Sequence, residues 1–296
     1  MSPLGDPAPN QFVRDSTRLA PSPTGALHLG NARTFLVNWA LARSNNWRIV
    51  LRIEDLDGPR IKPGVTELTI DLLNWLGLDW DDGPHLQSSD LSPYVRAMHE
   101  LAAKGCVYPM DLSRADIEAA SSAPQDGSGE SVFPASLRPH LGPRGFDQPE
   151  SSWRFATPSG SVAFTDGFLG PQVRNPSVTI GDFIVWTKRA APAYQLAVVV
   201  DDARQKITQV VRGDDLLDSA ARQLLLYRAL GLGNEPAYTH LPLVVGTDGR
   251  RLAKRHGDTR LDTFRSAGVP RERIVGLIAR WCGLTDGRKA MSPTEF

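Results

Sequence analysis

The sequence predicts an α/β fold, a parallel sheet with flanking helices, and three observations carry that prediction. A short alternating strand (STRLA, 16–20), a turn holding Gly25 and Gly30, a helical repeat and a second strand (WRIVLRI, 47–53) follow one another. Within so short a span this order makes a βαβ unit, whose strands are parallel. Further stretches of 3.6-residue periodicity then alternate with strand-like runs along the chain. Finally, 296 residues that are 41% hydrophobic and 22% charged form an ordinary soluble composition, long enough to bury a sizeable core.

The elements follow in order. Residues 1–15 read as a flexible, Pro-rich N-terminal tail without the charged start and apolar run of a secretory leader. Ala32, Phe35, Leu36, Trp39 and Ala40 recur at helical spacing and predict an amphipathic helix over 31–45. Val65, Leu68, Leu72, Leu73 and Leu76 predict another, closed by Gly77. Helices are expected at 92–104 and 113–120, the second opened by Ser113 as N-cap. Residues 121–152 are rich in Ser, Gly and Pro and read as a mobile loop. SWRFATP and SVAFTDGFLGP read as hairpin strands of a small inserted module. TIGDFIVWTKR (179–189) and AYQLAVVVDDA (193–203) read as strands, the run from Ala197 to Val200 suiting a strand buried on both faces. Helices at 218–230, ended by Gly231, and at 270–282 complete the chain, with no internal repeat. The expected organisation is a split catalytic domain (16–110 and 179–240), an inserted module (111–178), and a basic loop with a short helical region (241–296).

Several classes are excluded early. With 33 basic and 33 acidic residues the net charge is zero, so contact with a polyanion has to come from a local patch. The two cysteines, Cys106 and Cys282, supply neither a disulfide framework nor a four-cysteine zinc set, and a reducing cytoplasm is the expectation. No apolar stretch approaches 18 residues, so no membrane span is expected.

Two segments carry chemistry. In PSPTGALHLGNARTF (21–35), His28 and Gly30 stand where a strand hands over to a helix. The first turn of a helix leaves N–H groups free and favours anions, and a histidine there can donate to a phosphoryl oxygen. A tight surface turn with a solvated histidine is the plainer alternative. In GRRLAKRHGD (249–258), Arg250, Arg251, Lys254 and Arg255 form either a solvated basic run or a cationic flap for nucleotide phosphates.

Taken together, RLAPSPTGALHLGNARTFLVNWALAR, LRIEDLD, LLNWLGLDWDDGP, VVVDD, VVRGDDLLDSAARQLLLYRALG and RLAKR resemble the catalytic domain of class I aminoacyl-tRNA synthetases, specifically the glutamyl branch, over roughly 16–110 and 175–285. The resemblance implies a Rossmann-like catalytic domain. It also implies glutamate binding by Arg18, Leu19, Ala20, Pro21, Ser22, Glu54, Tyr194 and Arg212, and ATP binding by His28, Gly30, Asn31, Arg251, Leu252 and Lys254. His28 and Lys254 are the implied catalytic pair, with Mg²⁺ accompanying the ATP. Arginine suits a dicarboxylic substrate because its planar fork binds a carboxylate bidentately. Without the resemblance, Glu54 reads as a solvated strand-end carboxylate and Arg212 as an ion-pair partner of Asp214 or Asp215. The chain ends about 40 residues after the basic loop, with no anticodon-binding domain. That length resembles the truncated paralogues of this branch, whose acceptor is the queuosine base of tRNA(Asp) rather than a 3′ end. A fragment that charges tRNA(Glu) and a non-catalytic tRNA- or glutamate-binding paralogue are the alternatives.

The sequence departs from the family pattern in two places. Ala253 precedes Lys254, where serine is usual, and Arg251 replaces the first lysine. Many of these paralogues hold a structural zinc in the inserted region. Here CVYPMDLSRADIEAA has Met110 and Leu112 at the expected cysteine positions, so no metal site is expected. A monomer is expected.

Overall fold

The computed structural model describes residues 14–112, 116, 132–246, 252, 259–287 and 289–296. Strand β1 (Ser16–Leu19) pairs in parallel with β2 (Arg48–Ile53), Arg18 opposite Val50, and β2 pairs in parallel with β3 (Asp82–Leu86). The crossover helix α1 spans Leu29–Ser44, beginning two residues before the periodicity predicts because His28 caps it. Helix α2 (Val65–Leu76) ends where Gly77 adopts φ +81°, as its sequence predicts. Helix α3 (Ser92–Ala103) leads into β4 (Val107–Pro109), which pairs with β5 (Trp153–Phe155).

The hairpin of β6 (Val162–Asp166) and β7 (Gly170–Arg174) does not join β5. It extends the second parallel sheet, where β10 (Gln209–Gly213) pairs with β11 (Ala237–Leu241) and β11 with β6. A helical turn α4 (Pro176–Thr179) precedes β8 (Phe183–Thr187), which lies between β5 and β9 (Ala191–Pro192). The reading of 179–189 as a strand thus holds for its middle.

The reading of 193–203 as a strand is wrong. Residues Tyr194–Arg204 form a helix, α5, buried along every residue from Gln195 to Asp202. Helices α3 and α6 (Leu217–Leu230) and strand β8 enclose it, so it shows no polar face. A short apolar run is ambiguous between a two-face-buried strand and an enclosed helix, and tertiary packing overrides the β preference of three consecutive valines. The helix expected at 113–120 falls, apart from Asp116, outside the described residues. Within 121–152, residues 132–152 have little regular structure but bury Phe133 and Phe146. The chain closes with α7 (Leu261–Ser266) and α8 (Arg271–Trp281). Leu261, Ile274, Val275 and Ile278 enter one core with Leu19, Leu36, Leu72 and Leu76.

The two parallel sheets meet at β1 and β10. The Thr208 N–H donates to Ser16 O at 2.9 Å, and the Ser16 N–H donates to Thr208 Oγ1 at 3.0 Å. The resulting order β3-β2-β1 beside β10-β11 reverses direction at this seam. In open α/β sheets, ligands bind at the carboxyl ends of the strands where the order reverses.

Candidate active site

Four side chains named from the sequence converge at that seam. Arg18 leaves β1, Arg212 leaves β10, Glu54 follows the last residue of β2, and Tyr194 opens α5. Tyr194 is 39% exposed. Desolvation holds its hydroxyl above the ordinary phenol value, and it lies within range of the charges on Arg212, Glu54, Arg18 and Asp202.

Arg18 and Glu54 are stitched together by two residues the sequence analysis did not single out, Arg52 and Asp202. Arg52, fully buried, donates to Asp202 Oδ1 at 2.7 Å, Gln205 Oε1 at 2.9 Å and Glu54 Oε1 at 3.2 Å. Burial opposes its charge, but Asp202, Glu54 and Asp201 outweigh that and raise its pKa. Burial pushes the Glu54 carboxyl up, with Arg52 and Arg18 opposing. The signals were an arginine inside the apolar strand RIVLRI and paired aspartates ending VVVDD; each costs too much to bury alone, so each implies a partner. Glu54 is therefore not a solvated strand-end carboxylate; its side chain is 10% exposed.

The two candidate carboxylate binders are held differently. Arg18 makes long contacts, 3.4 Å to Asp202 and 3.5 Å to Val211 O, and its buried Nε has no hydrogen bond among the described residues. Arg212 is 5% exposed. Its Nε donates to His240 Nε2 at 3.0 Å, Nη1 to Gln223 Oε1 at 2.9 Å and Nη2 to Leu216 O at 3.2 Å. Among the described residues every one of these acceptors is neutral, so the ion pair with Asp214 or Asp215 is not formed there. A buried guanidinium paired only with neutral acceptors keeps its charge for an anion. Leu19 points its side chain into the core, so only its backbone can face a ligand. Ala20 is half-buried, Pro21 buried and Ser22 exposed, and Pro21 O accepts the Glu54 N–H at 3.0 Å, tying this segment to the cluster.

His28 stands at the N-cap of α1. Its Nδ1 accepts from Gly30 N at 3.1 Å and Asn31 N at 3.4 Å, while Asn31 Oδ1 accepts from His28 N at 3.2 Å. This reciprocal cap uses Asn31 and makes Nδ1 the acceptor, so the ring proton resides on Nε2. Arg251 and Lys254 lie outside the described residues. Their flanks do not: Leu252 N donates to Val244 O, and Leu29 N and Leu27 O bond Thr259 O and Leu261 N, all at 2.8–2.9 Å. The chain after the basic loop is thereby fastened at the start of α1, and Leu252 within the loop is tied back to Val244. A cavity of about 1060 Å³ is mainly apolar, runs along α1 to Trp281 and Phe296, and includes none of Arg18, Glu54, Tyr194 or Arg212. The cluster of charged side chains lies in the seam instead.

Away from the seam, Asp182 gathers the strands around β5 and β8. Its side chain is fully buried and accepts from Tyr108 at 2.5 Å, Thr157 N at 2.8 Å and bidentately from Arg138. Among the described residues no group of three or more His, Cys, Asp or Glu side chains is placed to hold a metal ion.

A switch-point crevice in a doubly wound sheet, with a histidine-capped helix beside a charged amino-acid cluster, defines a class I synthetase catalytic domain. The sequence profile of the family described as tRNA synthetases class I (E and Q), catalytic domain, matches residues 15–295, and the chain belongs to that family. It is 48% identical over 281 residues to a glutamyl-Q tRNA(Asp) synthetase of Rhodopirellula baltica, covering 90% of this chain and 84% of that protein. It is 47% identical over 293 residues to the protein of that name from Symbiobacterium thermophilum, covering 94% and 90%. A glutamate–tRNA ligase of Synechococcus is 38% identical, and this chain spans 56% of its length. In structure, the chain is similar to a glutamate tRNA ligase from Elizabethkingia meningosepticum solved with its amino acid, with TM-score 0.78, 26% identity, and coverage of 95% of this chain and 64% of that one.

Proposed function

We propose that the protein activates L-glutamate with ATP and transfers it to the queuosine base of tRNA(Asp). The observation that carries this reading is the convergence of Arg18, Glu54, Tyr194 and Arg212 on one buried seam, with Arg212 uncompensated by any described carboxylate. Arg18 and Arg212 take the substrate carboxylates, Glu54 takes the ammonium, and Tyr194 forms a polar wall. The similarity to two glutamyl-Q tRNA(Asp) synthetases supports the acceptor.

In the first step, the glutamate α-carboxylate attacks the α-phosphate of ATP and releases pyrophosphate. Two anions meet, so placed positive charge lowers the barrier. His28 presents its Nε2–H to the phosphoryl oxygens, and Gly30 and Asn31 present the backbone of the first turn. Arg251, Leu252 and Lys254 approach from the basic loop. Mg²⁺ travels with the triphosphate, as is usual for an ion that keeps its own water and phosphate ligands. In the second step, a hydroxyl of the queuosine cyclopentene ring attacks the activated carbonyl and AMP leaves. A cytoplasmic monomer without structural zinc completes the reading.

The test is glutamate-dependent exchange of pyrophosphate into ATP without tRNA, followed by charging of tRNA(Asp) with and without queuosine. Exchange together with labelling of queuosine-bearing tRNA(Asp) alone is expected; labelling of tRNA(Glu), or of both tRNA(Asp) forms equally, overturns the acceptor. Lys254→Ala is expected to slow exchange about 100-fold or more while changing the KM for glutamate little, as for loss of one transition-state donor.

A further inference from the structure

Arg212 owes its orientation to a chain of side chains on three adjacent strands. In the β10–β11 pairing Arg212 stands directly opposite His240, and in the β11–β6 pairing Tyr238 stands opposite Asp166. Asp166 and His240 are completely buried in their side chains. Asp166 accepts from Phe168 N at 3.0 Å, Leu169 N at 2.9 Å, His240 N at 3.1 Å and His240 Nδ1 at 2.6 Å. A carboxylate that receives only donors is ionised, and it requires the imidazole to carry its proton on Nδ1. His240 Nε2 is then bare and accepts from Arg212 Nε.

We propose that Asp166 and His240 are positioning residues for the substrate carboxylate, Asp166 selecting the imidazole tautomer and His240 holding the Arg212 fork through Nε. The assignment rests on the reading of Arg212 as a glutamate binder. An imidazole serves this purpose where a carboxylate does not. A carboxylate in contact with Nε would neutralise the guanidinium before substrate arrived, whereas neutral imidazole fixes its plane and leaves the charge for an incoming anion. The remaining contacts, Nη1 to Gln223 and Nη2 to Leu216 O, are also with neutral groups, and Gln223 is itself oriented by donating to Gln195 Oε1 at 3.0 Å. Arg212 has five N–H groups, of which three are engaged with described residues, leaving one on each Nη. Burial and the Arg212 charge depress the His240 pKa, and Asp166 works against both, so neutral imidazole is the form near pH 7.

Four variants and one spectrum test the assignment. His240→Phe keeps an aromatic ring but removes the acceptor, and Asp166→Asn invites the opposite tautomer. Each is expected to raise the KM for glutamate in the exchange assay about 10- to 100-fold, the worth of a hydrogen bond to a charged group, with the KM for ATP unchanged. His240→Gln restores an acceptor and is expected to recover most of the loss. In the ¹⁵N-labelled wild-type protein, His240 is expected to show a protonated Nδ1 and a bare Nε2, a readout that needs no variant to fold. An unchanged KM for glutamate in His240→Phe, while Arg212→Gln raises it, overturns the assignment. So does a wild-type spectrum with the proton on Nε2. An Arg212→Gln enzyme with normal glutamate KM instead overturns the reading of Arg212, and the spectrum still decides the tautomer.

Discussion

A Cβ built on Gly30 would lie 3.0 Å from His28 Cε1 and 3.1 Å from Nδ1. The glycine therefore makes room for the imidazole to fold back and cap α1, a role distinct from close approach to phosphate. Gly30→Ala is expected to displace the ring and slow pyrophosphate exchange by about tenfold, since a misplacement near 1 Å costs up to about 100-fold. Helix content and thermal midpoint should hold, alanine being the better helix former; an unchanged exchange rate would remove the need for this cap. A second residue-scale consequence concerns Glu54, whose carboxyl burial raises above its ordinary value of 4.5. Binding an ammonium needs the carboxylate, so protons compete with glutamate as pH falls through that raised pKa. The KM for glutamate should climb on acidification starting above pH 4.5, and Glu54→Gln should flatten the profile at a uniformly high KM. For the empty protein the sign reverses: the raised pKa stabilises the fold at low pH and this contribution is lost as pH rises through it. The residues proposed to face the ligand could be named from the chain because they stand in short motifs. Their supports, Arg52, Asp202, His240 and Asp166, could not, because strand register and helix packing decide which distant side chains meet.

At the scale of elements, legibility followed solvent exposure. Helices α2 and α3 have one wet and one dry face, so their period shows in the chain. Helix α5 is dry all round and reads as a strand, and β3 (DGPHL), mostly exposed with a Gly-Pro pair, carries no strand signal at all. The region around β5 and β8 shows how a buried carboxylate holds short elements together. Arg138 reaches Asp182 and Thr157 O, Arg154 donates to Asp182 O at 2.6 Å, and the Arg154 guanidinium lies 4.2 Å from the Phe133 ring centroid. Removing the buried carboxylate strands Arg138, Tyr108 and the Thr157 N–H, while Arg154 keeps its bond to the Asp182 carbonyl. Asp182→Ala is expected to cost about 3–5 kcal/mol, the price of breaking a buried pair. Denaturant unfolding measures it. Incubation with a zinc chelator is expected to leave the wild-type midpoint unmoved; a chelator-induced fall would restore a metal to this region and demote the Asp182 cluster.

Over the whole molecule, the site depends on two sheets staying in register across one seam. Arg18 comes from one sheet and Arg212 from the other, and the backbone bond nearest them that crosses the seam runs from Thr208 N to Ser16 O. Around it, Thr208 Oγ1 accepts from Ser16 N and donates to Asp15 Oδ1 at 2.7 Å, while Ser16 Oγ donates to Lys206 O. These side-chain bonds join the two sheets one to two turns of pleat away from the two guanidiniums. Thr208→Val keeps the shape and removes the hydroxyl, leaving the buried Ser16 N–H unpaired at a cost of about 1–3 kcal/mol. Because the same bond joins the strands that carry Arg18 and Arg212, the variant should also bind glutamate more weakly, by a factor of about 3 to 10 in KM. Thr208→Ser keeps the hydroxyl and should restore both quantities together. Stability and glutamate KM measured on the three proteins test the coupling directly. A valine variant that loses stability yet keeps the wild-type KM would mean that each sheet positions its arginine independently, and that the cleft tolerates movement at its own foundation.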